Sequence, residues 1–375
     1  MKRYLKILIN HLLRIVEKRP KKIINISGVN AKTLFSHKKN YKIITQTYRS
    51  SKTTVYPKCL KTDTIQHFKP FESNSNITIL SITSNNTKFC LNHFLDEDCN
   101  VLYENGINLS DLSISYKKLP IPIQLNGSIA YLSNSNVSNY GHWFQYTFPL
   151  LKYYWDIIGK NNIDFYYIGD SKLKSFQKES LLKAGIKESQ IINYPCKANQ
   201  SYICVKNNKI QHNYARYNEE NAFIFPRSIF SDYLTIDELS PKKIFIKRGN
   251  VKYRKLINEL AVEAYLLKKG FVSITMDNLS IKNQAILFYN AKYIIAPHGS
   301  SLTNLLFTQP ETFVLELFPF GYPDWFNFTY ASYAKSNYHF LIGEDINQLT
   351  KPLYRDIYID LKKIDKILDT FKIHL

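Results

Sequence analysis

From residue 243 onward the chain alternates short, continuous apolar runs with longer stretches in which apolar positions return every three or four residues. Residues 243–247, 271–275, 293–296 and 313–317 are too short for helices and rich in β-branched and aromatic side chains, so they predict strands. Between them, residues 255–269, 280–291 and 300–308 predict helices, the second opened by Ser280 as its N-cap. Strands separated by helices make right-handed crossovers in a parallel sheet, and such a sheet binds ligands beyond the carboxyl ends of its strands. In the last segment, 359–375, apolar residues recur at Leu361, Ile364, Leu368 and Phe371, which predicts an amphipathic closing helix.

The first half is less regular. Residues 77–82, 129–132, 164–169 and 190–194 read as strands and 139–155 and 174–184 as helices, giving another α/β domain. Residues 20–75 show no clear period. The stretch from Pro226 to Pro241 reads as the junction. The expected organisation is a basic amphipathic segment at 1–20, an α/β domain at 21–235, a Rossmann-like domain at 240–350 and a closing helix at 355–375.

With 375 residues and 45% hydrophobic content the chain can bury two cores. Its 50 Lys and Arg against 30 Asp and Glu leave a net charge of +20, which attracts sugar nucleotides, anionic headgroups or nucleic acid without choosing among them. Leu5, Leu8, Ile9, Leu12, Leu13 and Val16 recur at helical spacing among basic residues, a pattern for peripheral contact with an anionic membrane or for packing on the protein's own core. The run is too short to span a bilayer and no cleavage site follows, so the expected location is cytoplasmic, with peripheral contact at the membrane's inner face as the further option. The five cysteines show no metal-binding spacing and read as reduced thiols. Asp96-Glu97-Asp98 has the form of a metal-holding D-x-D motif, but its polar surroundings read as a solvated acidic turn. Asn25 and Asn108 match the glycosylation pattern in a chain already rich in Asn and Ser.

The turn Pro297-His298-Gly299-Ser300-Ser301-Leu302-Thr303-Asn304 lies between a predicted strand and helix. Its small residues allow close approach of a ligand, and the helix start offers unsatisfied N–H groups, which suits a diphosphate. An ordinary strand-to-helix turn would look similar.

This run, extended from Ile294 to Phe307 and followed by Pro310 and Val314-Leu315-Glu316-Leu317, resembles the hallmark segment of glycosyltransferase family 61. Upstream, Ile246-Lys247-Arg248, Arg254, Asn258-Glu259 and Gly270-Phe271 fall in the order that family shows, as do Asn139-Tyr140-Gly141-His142-Trp143 and Pro149-Leu150-Leu151. The resemblance covers roughly residues 125–340. It implies two Rossmann-like domains facing a cleft, the B-type glycosyltransferase fold, with the first domain on the acceptor side. It also implies inverting, metal-independent transfer from a nucleotide-diphosphate sugar, with no other cofactor, to a glycan or lipid-linked glycan in capsular or surface polysaccharide synthesis.

Metal-free transfer must meet the leaving diphosphate with cations and a helix N-terminus. Arg248 and Arg254 are the expected phosphate-gripping forks, with His298, Gly299, Ser300, Ser301, Thr303 and Asn304 around the diphosphate and Glu316 accepting from ribose hydroxyls. The expected base is His142 in the first domain, with Asp156 as runner-up and His298 as a rival. The alternatives are a non-catalytic sugar-nucleotide binder and a basic nucleic-acid-binding protein; the latter would use the 28 tyrosines for stacking, but they are scattered along the chain and no nucleic-acid motif accompanies them. An esterase would need a Gly-x-Ser-x-Gly elbow, and the sequence has none.

Overall fold

The computed structural model describes residues 23–25, 40–49, 74–90, 93–95, 101–103, 119–133, 137–169, 172–206, 220–249, 251–324, 326–346 and 350–370. The segment 1–20, the Asp96-Glu97-Asp98 run, Cys59, Cys99, Asn108 and Phe371 lie outside them. The fold is mixed α/β, with two sheets in two compact units: described residues up to Ala222 form the first and those from Phe223 onward the second. Among the described residues, no helix is long and apolar enough to cross a membrane.

The sheet of the first unit is mixed. Its centre is parallel: Ile123–Tyr131 lies between Cys196–Lys206 and Phe165–Tyr167, and Ile191–Ile192 follows the latter. Cys196–Lys206 then turns the sheet antiparallel by pairing with Asn74–Thr83, which pairs in turn with Tyr41–Arg49. The connection from Ile123–Tyr131 to Phe165–Tyr167 runs through a turn at Tyr140–His142, a π-helical turn at Trp143–Thr147 and the helix Leu150–Ile157. Burial holds this connection down. Trp143 is fully buried and its Nε1–H donates to Ser180 Oγ at 2.9 Å, while Tyr154 donates its hydroxyl to Tyr131 O and accepts from Cys204 N, both at 2.8 Å. Rings of Phe89, Phe94, Tyr131 and Tyr167 fill the core at centroid separations of 5.1–6.0 Å, each contributing about 1.5–3 kcal/mol through burial where fully enclosed. Cys90, Cys196 and Cys204 are buried thiols outside any disulfide.

The second unit is a five-stranded parallel sheet. In chain order its strands are Lys243–Ile246, Val272–Ile274, Tyr293–Pro297, Phe313–Phe318 and Asn337–Ile342, and in space they run second, first, third, fourth, fifth. That order reverses between the first and third strands, and the crevice beyond their carboxyl ends is where doubly wound sheets take their ligands. Four of these strands and the helices Glu259–Lys268 and Ile281–Asn290 fall where the apolar pattern predicts them, and Ser280 does cap, accepting from Asn283 N at 3.2 Å. The predicted helix after the third strand is a 3₁₀ helix, Ser300–Phe307.

Two expectations of organisation change. Pro226 does not mark a junction but sits inside the helix Glu220–Ile229, and the division between units falls within that helix, after Ala222. A proline there removes one intrahelical N–H bond and crowds the carbonyl of Ala222, and the burial of Ala222, Phe223 and Phe225 keeps the helix packed. The closing helix, Leu361–Thr370, is not a separate appendage. Ile364 and Leu368 are buried among Phe245, Val262, Leu266 and Leu315 of the second unit, and Asp365 joins both Lys269 and the Tyr265 hydroxyl.

Candidate functional site

The carboxyl end of Lys243–Ile246 runs into Lys247 and Arg248, and that of Tyr293–Pro297 into His298 and Gly299. These two ends flank the point where the strand order reverses. Lys247 is engaged: its ammonium pairs with both oxygens of Glu263 at 3.1 and 2.9 Å, which raises the lysine above its usual range and holds the Glu263 carboxyl below its own.

Arg248 is built into the loop it begins. Its backbone N–H donates to Glu259 Oε1 at 2.5 Å, its Nε–H to Arg254 O at 3.2 Å and its Nη2–H to Tyr253 O at 3.4 Å. The remaining edge of the guanidinium, at Nη1, lies against Gly299, so closely that a β-carbon there would overlap it. Gly299 has an extended backbone, φ 173°, so space rather than conformation requires glycine. Arg254 stands in the left-handed region at φ 57°, at a cost of about 1–2 kcal/mol, and its Nε–H is buried without an acceptor among the described residues. Burial first, and Arg254 second, bring the Arg248 guanidinium down to about 10, against the partial compensation of Glu259 and Asp277. Two guanidiniums gathered in this way, one with an orphaned donor, make a site that an anion would complete.

The 3₁₀ helix opens on this pair. Ser300 and Ser301 are half-buried at its start, where the first N–H groups lack intrahelical acceptors. The opposite end is closed by Arg227, whose Nη1 donates to Leu306 O at 2.5 Å and Thr308 O at 3.1 Å. The helix therefore has its carbonyl end neutralised by a cation while its amide end faces the turn.

Three residues expected around the donor are turned inward instead. Asn304 is fully buried, and its Nδ2 donates to Gln284 Oε1 at 2.7 Å and Ser301 O at 3.0 Å, tying the turn to the helix Ile281–Asn290. Thr303 is fully buried as well. Glu316, expected to accept from ribose hydroxyls, is fully buried within a strand buried at every position, and its oxygens accept from His298 Nδ1 at 2.6 Å, Asn327 Nδ2 at 2.7 Å and Tyr338 Oη at 2.6 Å. Its contact is with the histidine of the turn. His298 is itself held by Phe318, stacked at 4.9 Å, and by Tyr322, edge-on at 5.7 Å. Asn327 and Tyr338 went unread in the sequence.

In the first unit, His142 closes the Tyr140–His142 turn. Its backbone N–H donates to Asn139 Oδ1 at 3.1 Å, and its ring meets Tyr146 edge-on at 5.1 Å. It is half-buried, next to a π-helical turn, a feature frequent at functional sites. Asp156 is exposed and pairs with Lys152 at 2.9 Å, one turn back on its helix. That arrangement is a surface ion pair.

Residues 140–315 match the family model described as Glycosyltransferase 61. The match takes in His142, Arg248, Arg254 and the whole 298–304 turn. The chain is also similar to the beta-1,2-xylosyltransferase XAX1 of Oryza sativa subsp. japonica, 32% identical over 88 residues, which is 23% of this chain and 15% of the rice protein. The aligned stretch thus spans less than a fifth of that relative's length. Over residues 140–315, this chain is similar to the glycosyltransferases of family 61.

Proposed function

We propose that the chain is an inverting glycosyltransferase that moves a sugar from a nucleotide-diphosphate donor to a glycan or lipid-linked glycan, with two Rossmann-like domains as its framework. The observation that carries this reading is the Arg248 guanidinium packed on Gly299 beside Arg254, at the strand-order reversal of a parallel sheet, in a chain whose residues 140–315 match the family 61 model. The donor diphosphate lies against these two arginines, with the Ser300 and Ser301 N–H groups donating to its oxygens. No divalent ion is needed, since the guanidiniums and the helix start meet the charge that builds up as the sugar–phosphate bond breaks. His142 takes the acceptor hydroxyl's proton. The rice relative's name makes pentose donors the first to try, and the basic surface suits an acceptor carried at an anionic membrane on its cytoplasmic side. A role in capsular polysaccharide synthesis fits the same chemistry.

The test is transfer itself. Nucleotide sugars, UDP-xylose first, are incubated with oligosaccharide acceptors in excess chelator, and the anomeric configuration of the product is read by nuclear magnetic resonance. Transfer that persists in chelator and inverts the anomeric centre is the expected result. Activity lost to chelator and restored by magnesium or manganese would overturn the metal-independent reading.

A further inference from the structure

We propose that Glu316, Asn327 and Tyr338 position His298 so that its Nε2 meets the donor diphosphate as a proton-bearing contact, the ring taking up a proton as the nucleotide binds. This rests on the diphosphate site proposed above.

A carboxylate enclosed in a sheet without partners would cost several kcal/mol. Glu316 is enclosed in this way but escapes that cost through donors from three separate elements: the turn after Tyr293–Pro297, the helix Phe326–Tyr333 and the strand Asn337–Ile342. An apolar residue would fill the same volume at less cost, so stability alone does not account for the cluster. Asn327 sharpens the point. Its amide goes to Glu316 while its own Oδ1 stays buried with no partner among the described residues, a loss accepted for one bond to the carboxylate.

What the cluster achieves is a fixed ring. With Nδ1–H on Glu316, the neutral imidazole must carry its lone pair on Nε2, while Phe318 and Tyr322 set the plane. The charged and titratable groups around it are few. Glu316 and Tyr338 lie behind Nδ1, Tyr322 beside the ring donates its hydroxyl to Asp324 at 3.2 Å, and the Arg248 guanidinium rests on the next residue, Gly299. A diphosphate at this turn would repel a lone pair on Nε2 and bond to an N–H there. Protonation satisfies that contact and makes Glu316 half of an ion pair.

The experiment is calorimetric titration of uridine and guanosine diphosphates into the full chain, in buffers of equal pH and different ionisation enthalpy. Proton uptake on binding is expected. His298→Gln should abolish the uptake and weaken binding by about tenfold or more. Tyr338→Phe keeps the ring's volume but removes one donor from Glu316, which strengthens the carboxylate's hold on a protonated histidine. It should move the pH midpoint of the uptake upward, and Glu316→Gln should move it downward. A cluster with a merely structural role would leave that midpoint in place. Binding with the same heat in both buffers, or a midpoint unmoved in folded Tyr338→Phe protein, would overturn the proposal alone. No binding of either nucleotide would overturn it together with the site on which it rests.

Discussion

The guanidinium of Arg248 occupies the place where a β-carbon on residue 299 would stand, so the arginine after the first strand of the second sheet and the glycine after its third fit only as a pair. Each explains the other. A side chain at 299 would push the guanidinium away from the turn, and a smaller residue at 248 would leave the turn without its cation. Because the strand order reverses between these two strands, the contact lies where a parallel sheet opens to a ligand.

Gly299→Ala tests this pairing. The backbone at 299 is extended and accepts alanine, and the group displaced is the far end of a flexible side chain, so the protein should fold with a nearly unchanged melting temperature. Nucleoside diphosphate affinity should fall by about tenfold, the equivalent of about 1.4 kcal/mol. Unchanged affinity would show that the position of Arg248 does not matter to the ligand.

Arg248 also sets a pH dependence. Burial and the neighbouring Arg254 bring its guanidinium down to about 10, so the charge, still carried at neutral pH, is held at a greater cost in the empty site than in water. A bound anion favours that form and offsets the penalty. Affinity for a nucleoside diphosphate should therefore decline as pH rises through about 10, and the decline should be missing in Arg248→Ala. Titrations between about pH 8 and pH 10.5 check this window.

Much of this was legible in the chain because the second unit keeps a strict alternation of short apolar runs and helical periods. Strands at 243–247 and 293–296, the Ser280 cap and the turn at 298–304 all declared themselves in that way. What stayed hidden lacked a period. Phe326–Tyr333 buries Asn327, Phe328, Thr329, Tyr330, Ala331 and Tyr333, so it shows no polar face and no amphipathic repeat. The strand Asn337–Ile342 mixes polar and aromatic residues, and with it went Tyr338. The partners of Glu316 stayed hidden for a related reason. Every residue of Phe313–Phe318 is buried, and the uninterrupted apolar run around Glu316 was the available sign of a central strand whose carboxylate had to find its partners inside.

Arg227 should matter to stability and little to binding. Arg227→Ala removes both bonds to the carbonyl end of the 3₁₀ helix and strands Leu306 O and Thr308 O, at an expected cost of about 1–3 kcal/mol. Chemical denaturation measures the loss. Donor affinity in the surviving folded protein should remain within about threefold, or about 0.7 kcal/mol, since the amide end is untouched.

His142→Ala separates a base from a packing residue. If His142 takes the acceptor proton, turnover should drop by about 10²–10⁴-fold while donor affinity and melting temperature hold. A packing role beside Tyr146 predicts the reverse order of effects, a lower melting temperature with turnover reduced in proportion to the folded fraction. Wild-type turnover in a stable mutant would remove His142 from the mechanism.

The central claim is that Arg248 and Arg254 hold a nucleotide diphosphate, and thermal unfolding of the wild type and the Arg248→Ala, Arg254→Ala double variant with a panel of nucleoside diphosphates tests it directly. At 100 times its dissociation constant, the bound nucleotide should stabilise the wild type by about 2.7 kcal/mol and leave the folded double variant essentially unshifted at the same concentration. Equal stabilisation of both proteins would contradict the account, because the anion would then be held somewhere other than at the carboxyl ends of the second sheet.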